Sequence, residues 1–284
     1  MRLVRLAGGD QLPALGLGTW RMGEGKRTRA ADIAAVKVTL AIGYRLIDTA
    51  EMYGDGGAEE VVGAAIQETL QAGNISRREL TIVSKVLPSN ASHAGVLSAC
   101  ERSLKRLQLD VIDLYLLHWR GSVPLKETVA AFEQLRHEGR IRHWGVSNFD
   151  TADMQQLWSL PAGASCVANQ VYYSASERGA EFDLLPWQRD HRVVTMAYSP
   201  IDQGALARDT TFATVGRRHG VSASSVALAW VLLQPDVIAI PMSASGPHLR
   251  ENFAAANLEL NADDLAQIDA QFPPPKRKRR LATT

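Results

Sequence analysis

From Ile42 onward, short apolar runs alternate with amphipathic stretches of helical spacing. Arg45–Asp48 reads as a strand and Gly57–Leu70 as a helix. Leu80–Ser84 reads as the next strand, followed by a helix over Ala94–Leu107 with Leu97, Cys100, Leu104 and Leu107 on one stripe. Val111–Leu117 (VIDLYLL) is a near-continuous buried strand. A helix over Leu125–Glu138 follows it, with Leu125, Val129, Phe132 and Leu135 on one face and Gly139 placed as its C-cap. Further strands are predicted at Ile141–Val146, Cys166–Gln170, Val193–Tyr198 and Val237–Ile240, and a further helix at Ser222–Leu233.

With Leu15–Gly18 as the first strand, the chain holds about eight strand-then-helix units. Strands that are solid apolar runs, each followed by a helix, indicate a parallel sheet covered on its outer face. The predicted class is α/β, a (β/α)8 barrel. A doubly wound open sheet is the alternative; the unit count and the lack of G-x-G-x-x-G after an early strand weigh against it. Leu3–Leu6 and Gln11–Leu12, joined through Gly8-Gly9-Asp10, read as a short hairpin before the barrel. No linker divides the chain, so residues 1–284 are expected to form one domain: a barrel over about 10–272 and a Pro-rich basic tail over 273–284.

Composition narrows the class. The chain has 284 residues, 46% hydrophobic, with 31 basic and 30 acidic side chains. Five of the basic groups are Lys276, Arg277, Lys278, Arg279 and Arg280, and the remaining body carries 26 basic against 30 acidic groups. That balance excludes a whole-molecule polyanion binder, and the tail is read as disordered and solvated, with no nucleic-acid partner. Two cysteines give no disulfide framework and no zinc-spaced cluster. No signal peptide or membrane span is legible, so a cytoplasmic protein is expected.

In a barrel of this type the reactive groups lie where strands end and βα loops begin. The second strand runs into Asp48-Thr49-Ala50-Glu51-Met52-Tyr53-Gly54, the third into Ser84-Lys85 and the fourth into Leu117-His118-Trp119. Taken alone, a Lys after a strand is a solvated rim charge and a His beside Trp is a packed rim residue. Together, Asp48, Tyr53, Lys85 and His118 place four complementary titratable groups around one mouth. A phenol is a poor acid near neutrality; a neighbouring ammonium draws its pKa down, and a carboxylate holds that ammonium charged. The set fits proton donation to a carbonyl oxygen. The hydride such a reaction needs must come from a cofactor.

These residues resemble those of the aldo-keto reductases, and the resemblance covers about residues 10–272. It rests on Gly16-Leu17-Gly18-Thr19-Trp20, the D-T-A-x-x-Y-G segment at 48–54, Lys85, Leu-His-Trp at 117–119 and G-V-S-N at 145–148. It continues through Asn169-Gln170, Tyr-Ser-Pro at 198–200, Ile240-Pro241 and Glu251-Asn252. The likeness is nearest to compact prokaryotic members that reduce methylglyoxal and similar aldehydes. It implies an NAD(P)H-dependent oxidoreductase in which Tyr53 is the general acid, Lys85 and Asp48 tune it, and His118 orients the substrate carbonyl.

By the same resemblance, Ser147, Asn148 and Gln170 hold the nicotinamide carboxamide, with Asp48 beside them, and Tyr198 stacks on the ring. Ser199, Ile201 and Gln203 lie along the pyrophosphate. Thr19 and Trp20 approach the cofactor, and Ser243, Glu251 and Asn252 reach the adenosine end. Trp20, Tyr53, His118 and Trp119 line the substrate pocket, with Trp187 either a further wall or ordinary packing. Met242 and His248 stand where the family's phosphate-binding Lys and Arg are usual; NADP(H) is the favoured cofactor, with NAD(H) open to it and Arg250 close enough to substitute. The short C-terminus implies an open pocket. A monomer acting on a small carbonyl compound is expected. A sugar or polyol dehydrogenase would use the same residues, whereas a cofactor-sensing binding subunit would have no use for the four reactive groups.

Overall fold

The computed structural model describes residues 2–283; Met1 and Thr284, the outermost residues of the expected domain and tail, lie outside it. Two short strands, β1 (Leu3–Arg5) and β2 (Gln11–Pro13), pair antiparallel with Leu3 opposite Pro13. The strands that follow alternate with helices: β3 (Leu17–Gly18), α1 (Arg29–Ile42), β4 (Leu46–Asp48), α2 (Gly57–Gln71), β5 (Thr81–Val86) and α3 (His93–Leu107). Next come β6 (Ile112–Leu117), α4 (Leu125–His137), β7 (Ile141–Ser147), α5 (Thr151–Trp158), β8 (Cys166–Tyr172) and α6 (Leu184–Asp190). The chain continues through β9 (Val194–Tyr198), α7 (Thr210–His219), α8 (Ala223–Leu233), β10 (Val237–Ala239), α9 (Gly246–Ala255) and α10 (Ala262–Gln271).

β3 to β10 form one parallel sheet in which neighbours follow chain order. Parallel bridges from Leu15 to Ala239 and from Gly18 to Met242 join its first and last strands. The curled sheet is the expected (β/α)8 fold, and the N-terminal hairpin is present as read. Val4, Leu6 and Leu12 carry the hairpin into the core, so it covers the end of the barrel where the strands begin.

The burial pattern explains why the strands were legible. All six residues of β6 are buried, as a strand needs when helices cover one face and barrel side chains the other. Helix starts follow side-chain caps: Ser92 accepts from the Gly95 amide before α3, and Ser222 from the Ser225 amide before α8. Two details differ from the sequence reading. The buried stripe of α3 runs through Val96, Ala99, Cys100, Ser103, Leu104 and Leu107, leaving Leu97 at its margin. Glu138 is the C-cap of α4, and Gly139 follows it at φ 71°.

The tail needs a larger correction. The described part of it is not a free solvated end: Lys278 Nζ lies 2.8 Å from Asp183 Oδ2, and Leu281 packs half-buried against the core. An acidic partner and one apolar anchor are what a reading of net charge alone overlooks.

Candidate active site

Asp48 closes β4, and the chain then turns through Tyr53–Gly56, a short 3-10 segment, into α2. That turn presses against the loop before α1: a Cβ on Gly54 would stand 2.9 Å from the Gly23 backbone, so the close approach requires glycine. Along β5 the alternation of a strand separates two roles. Ser84 faces α2, where its hydroxyl donates to the buried Glu59 carboxylate at 2.5 Å. Lys85 faces inward and is fully buried.

The Lys85 ammonium donates to Asp48 Oδ2 at 2.7 Å, to the Thr49 carbonyl at 2.9 Å and to the Tyr53 hydroxyl at 3.3 Å. Gln170, across the barrel on β8, donates from Nε2 to Asp48 Oδ1 at 2.7 Å, so both carboxylate oxygens are engaged. His118 follows β6 and meets Tyr53 edge to face, with ring centroids 5.7 Å apart. Asp48, Tyr53, Lys85 and His118 therefore form one cluster at the end of the barrel where the strands finish.

Burial dominates the titration of these groups. It pushes the Tyr53 phenol above its ordinary range, and the Lys85 ammonium only partly offsets this. This corrects the sequence expectation that the ammonium would draw the phenol down overall: desolvating a phenolate costs more than one ammonium, already paired with Asp48, returns. Burial likewise pushes the Asp48 carboxyl up against the opposing charge of Lys85. Burial depresses the Lys85 ammonium, yet Asp48 and Tyr53 outweigh it and hold its pKa above the ordinary lysine value. Burial, and next the charge of Lys85, lower His118 to about 3, so its imidazole is neutral at physiological pH. His118 Nδ1 is buried without a hydrogen-bond partner.

The residues assigned to a cofactor line the same end. Ser147 donates from Oγ to the Gln170 carbonyl at 2.9 Å, and Asn148 donates from Nδ2 to the His118 carbonyl at 3.2 Å. Tyr198, half-buried, donates to Asn148 Oδ1 at 2.9 Å. Thr19 is buried, its hydroxyl donating to the Asp48 carbonyl at 3.0 Å, which makes it a brace for the cluster. Ser199, Ile201 and Gln203 sit on the loop after β9, with left-handed backbone at Ser199 and Gln203. Ser243 and Asn252 are buried near the start and on the inner face of α9, whose N-cap Ser245 makes no side-chain capping bond. Glu251 is exposed and accepts from the Ser222 hydroxyl at 3.4 Å. Met242, His248 and Arg250 are exposed, and Arg250 Nη2 lies 3.5 Å from where a Cβ on Gly246 would be, beside the first turn of α9.

Trp119 is exposed at the rim with its ring 4.9 Å from that of His118, and the Arg21 guanidinium covers Trp20 at 4.3 Å. Trp187 belongs elsewhere: it stacks on His191 at 3.8 Å and meets Trp158 edge to face, so its packing reading is the one its contacts support. Sequence reasoning missed the supports of the cluster. Glu51, buried between Asp48 and Tyr53 in sequence, accepts from the Leu87 amide and from Asn90, tying the Tyr53 turn to the end of β5. Glu59 is neutralised by Arg106 at 2.6 Å. A carboxylate inside a quoted motif was the available signal for Glu51; nothing local pointed to Glu59.

A model of the aldo/keto reductase family matches residues 14–271. The chain belongs to the aldo/keto reductase family. It is 45% identical to methylglyoxal reductase YeaE of Escherichia coli, over 99% of this chain and 98% of that protein. Glyoxal reductase of Bacillus subtilis is 35% identical over 94% of this chain and 91% of its own length. Among solved structures, an aldo-keto reductase from Klebsiella pneumoniae in complex with NADPH superposes with a TM-score of 0.94 at 46% identity, covering 100% of this chain and 99% of that one. As a member of this family the chain is an oxidoreductase. Among the described residues no helix is long and apolar enough to cross a membrane, and no group of His, Cys, Asp and Glu could hold a metal ion.

Proposed function

We propose that this aldo/keto reductase reduces small aldehydes, ketones and dicarbonyls such as methylglyoxal to alcohols, with Tyr53 as proton donor. The observation that carries the reading is the Lys85 ammonium held between Asp48 and the Tyr53 hydroxyl beside a neutral imidazole. A phenol with a raised pKa remains protonated at neutral pH, as a proton donor must. As negative charge develops on a carbonyl oxygen, Tyr53 transfers its proton to that oxygen. Lys85 stabilises the phenolate left behind, and Asp48 keeps Lys85 charged. Neutral His118 donates a hydrogen bond to the same oxygen and so fixes which face of the carbonyl is presented.

The residues present fit a nicotinamide dinucleotide. The Tyr198 ring is half-exposed, and the first turn of α9 is uncapped by its N-cap side chain. When bound, the reduced nicotinamide supplies the hydride. Ser147, Asn148 and Gln170 would hold its carboxamide and Tyr198 its ring; Ser199, Ile201 and Gln203 would follow the pyrophosphate, and Ser243, Glu251 and Asn252 the adenosine. The NADPH in the Klebsiella structure supports NADP(H) as the preferred form, and the uncharged Met242 keeps NAD(H) within reach. Trp20 and Trp119 are the pocket walls in this reading. We further take residues 1–284 as one domain, a cytoplasmic monomer with no nucleic-acid partner.

The test is to follow nicotinamide absorbance with methylglyoxal, a nitrobenzaldehyde and glyceraldehyde. Turnover of at least one carbonyl with NADPH is expected; tight nucleotide binding without turnover of any of them would replace this reading with a binding module.

A further inference from the structure

At the end of the barrel opposite Lys85 and Tyr53, where the strands begin, three turns enclose a cavity of about 440 Å³. They are the β1–β2 hairpin, the turn from α6 into β9 and the turn from α8 into β10. Leu6 and Val193, both buried, give the cavity an apolar lining. Arg5 on the hairpin, Arg189 in the last turn of α6 and Arg192 just beyond it bring three guanidiniums to the same space.

Among the described residues, the side chains of these three arginines make no hydrogen bond and no ion pair. Their neighbour Arg2 differs, since its guanidinium donates to the carbonyls of Gln234 and Val237. Asp236 is the one acidic residue among those that line the cavity, and Arg2 feels its charge. Asp10, farther along the hairpin, is held by His143 at 2.9 Å. Three positive groups therefore share the cavity with one negative group, and their mutual repulsion is relieved by an anion placed between them. The backbone adds a second sign. Arg192 and Asp236 both have φ of 57°, in the left-handed region that non-glycine residues avoid. Glycine would make the turn before β9 with less strain, yet the turn carries a guanidinium into the cavity.

We propose that this cavity is a second ligand site, remote from the reactive cluster, and that it takes the phosphate or diphosphate group of a small molecule. Guanidinium forks match phosphate oxygens two at a time. The volume lies within the range of small-molecule sites. It leaves room beside the phosphate for a small body against Leu6 and Val193. An anion bound there ties the hairpin to α6 and β9.

The test is calorimetric titration of the full-length protein with inorganic pyrophosphate and, separately, with glycerol 3-phosphate, using hydrogen exchange to locate the contact. Saturable binding with a Kd below about 1 mM is expected, with exchange slowed in the hairpin and in the turn before β9. Arg5→Ala and Arg192→Ala should each weaken binding about tenfold, as loss of one charge-assisted contact does. Arg192→Gly should weaken it equally while relieving the strained turn, which separates loss of charge from loss of structure. Asp236→Asn should tighten it about threefold, since it removes the opposing carboxylate. Tighter binding of the ester supports a site for an organic phosphate, and equal or tighter binding of the inorganic anion supports a site for the phosphate group alone. The proposal is overturned by absence of saturable binding, or by binding that survives unchanged in both Arg5→Ala and Arg192→Ala. It is equally overturned by protection confined to the loop after β9, where the anion would be occupying the place assigned to the cofactor.

Discussion

The ammonium of Lys85 and the hydroxyl of Tyr53 are 3.3 Å apart although 32 residues separate them in the chain. Lys85 has no exposed surface, so this contact is made where water cannot screen it. The geometry gives Tyr53 a partner for the charge it acquires when it loses its proton, and Asp48 gives Lys85 a reason to remain charged.

Removing the hydroxyl should therefore remove the reaction while sparing the site. Tyr53→Phe is expected to lower kcat by roughly 10²–10⁴-fold, the usual contribution of a positioned general acid. Nucleotide affinity, read by fluorescence titration, should stay within about threefold of wild type, because an interaction made only in the transition state is the one removed. Unchanged turnover would take Tyr53 out of its role.

Lys85→Met should reduce kcat more than it changes KM, because the opposing positive charge is lost and the phenol pKa rises further. It also strands the Asp48 carboxylate in a buried site, at a cost of about 3–5 kcal/mol. Adding Asp48→Asn to it should restore much of the melting temperature without restoring turnover. Recovery of both together would mean that the pair acts only through stability.

His118 makes stability depend on acid. Its folded pKa of about 3 lies below the ordinary imidazole value of 6.5, so the unfolded chain binds the proton more readily. The contribution is complete above pH 6.5 and is lost as pH falls toward 3. Between pH 6.5 and 4.5 this amounts to roughly 2–3 kcal/mol at one proton per unit. Denaturant unfolding at the two pH values should show the loss in wild type and a smaller one in His118→Gln; equal losses would assign it to other groups.

Met242 offers no charge to a ribose phosphate. Steady-state comparison should show modest discrimination between NADPH and NADH, on the order of tenfold, and Met242→Lys should widen it by about another tenfold. A wild-type preference near a thousandfold would show that Arg250 or the first turn of α9 already supplies the missing grip.

The sequence by itself determined the barrel, because each strand buried on both faces must be an unbroken apolar run and each helix must carry a stripe; VIDLYLL could hardly be anything else. It also put Asp48, Tyr53, Lys85 and His118 at one end, since position along a barrel strand fixes which mouth a residue reaches. What only the tertiary structure decided are the terms that depend on distance and burial. The direction of the Tyr53 shift comes from desolvation, which no spacing encodes. The packing of Trp187 against Trp158, the docking of Lys278 on Asp183 and the bond from Tyr172 to Asp202 join segments far apart in the chain. Such contacts arise from where folded elements meet, and that meeting is set by the whole core rather than by any local pattern.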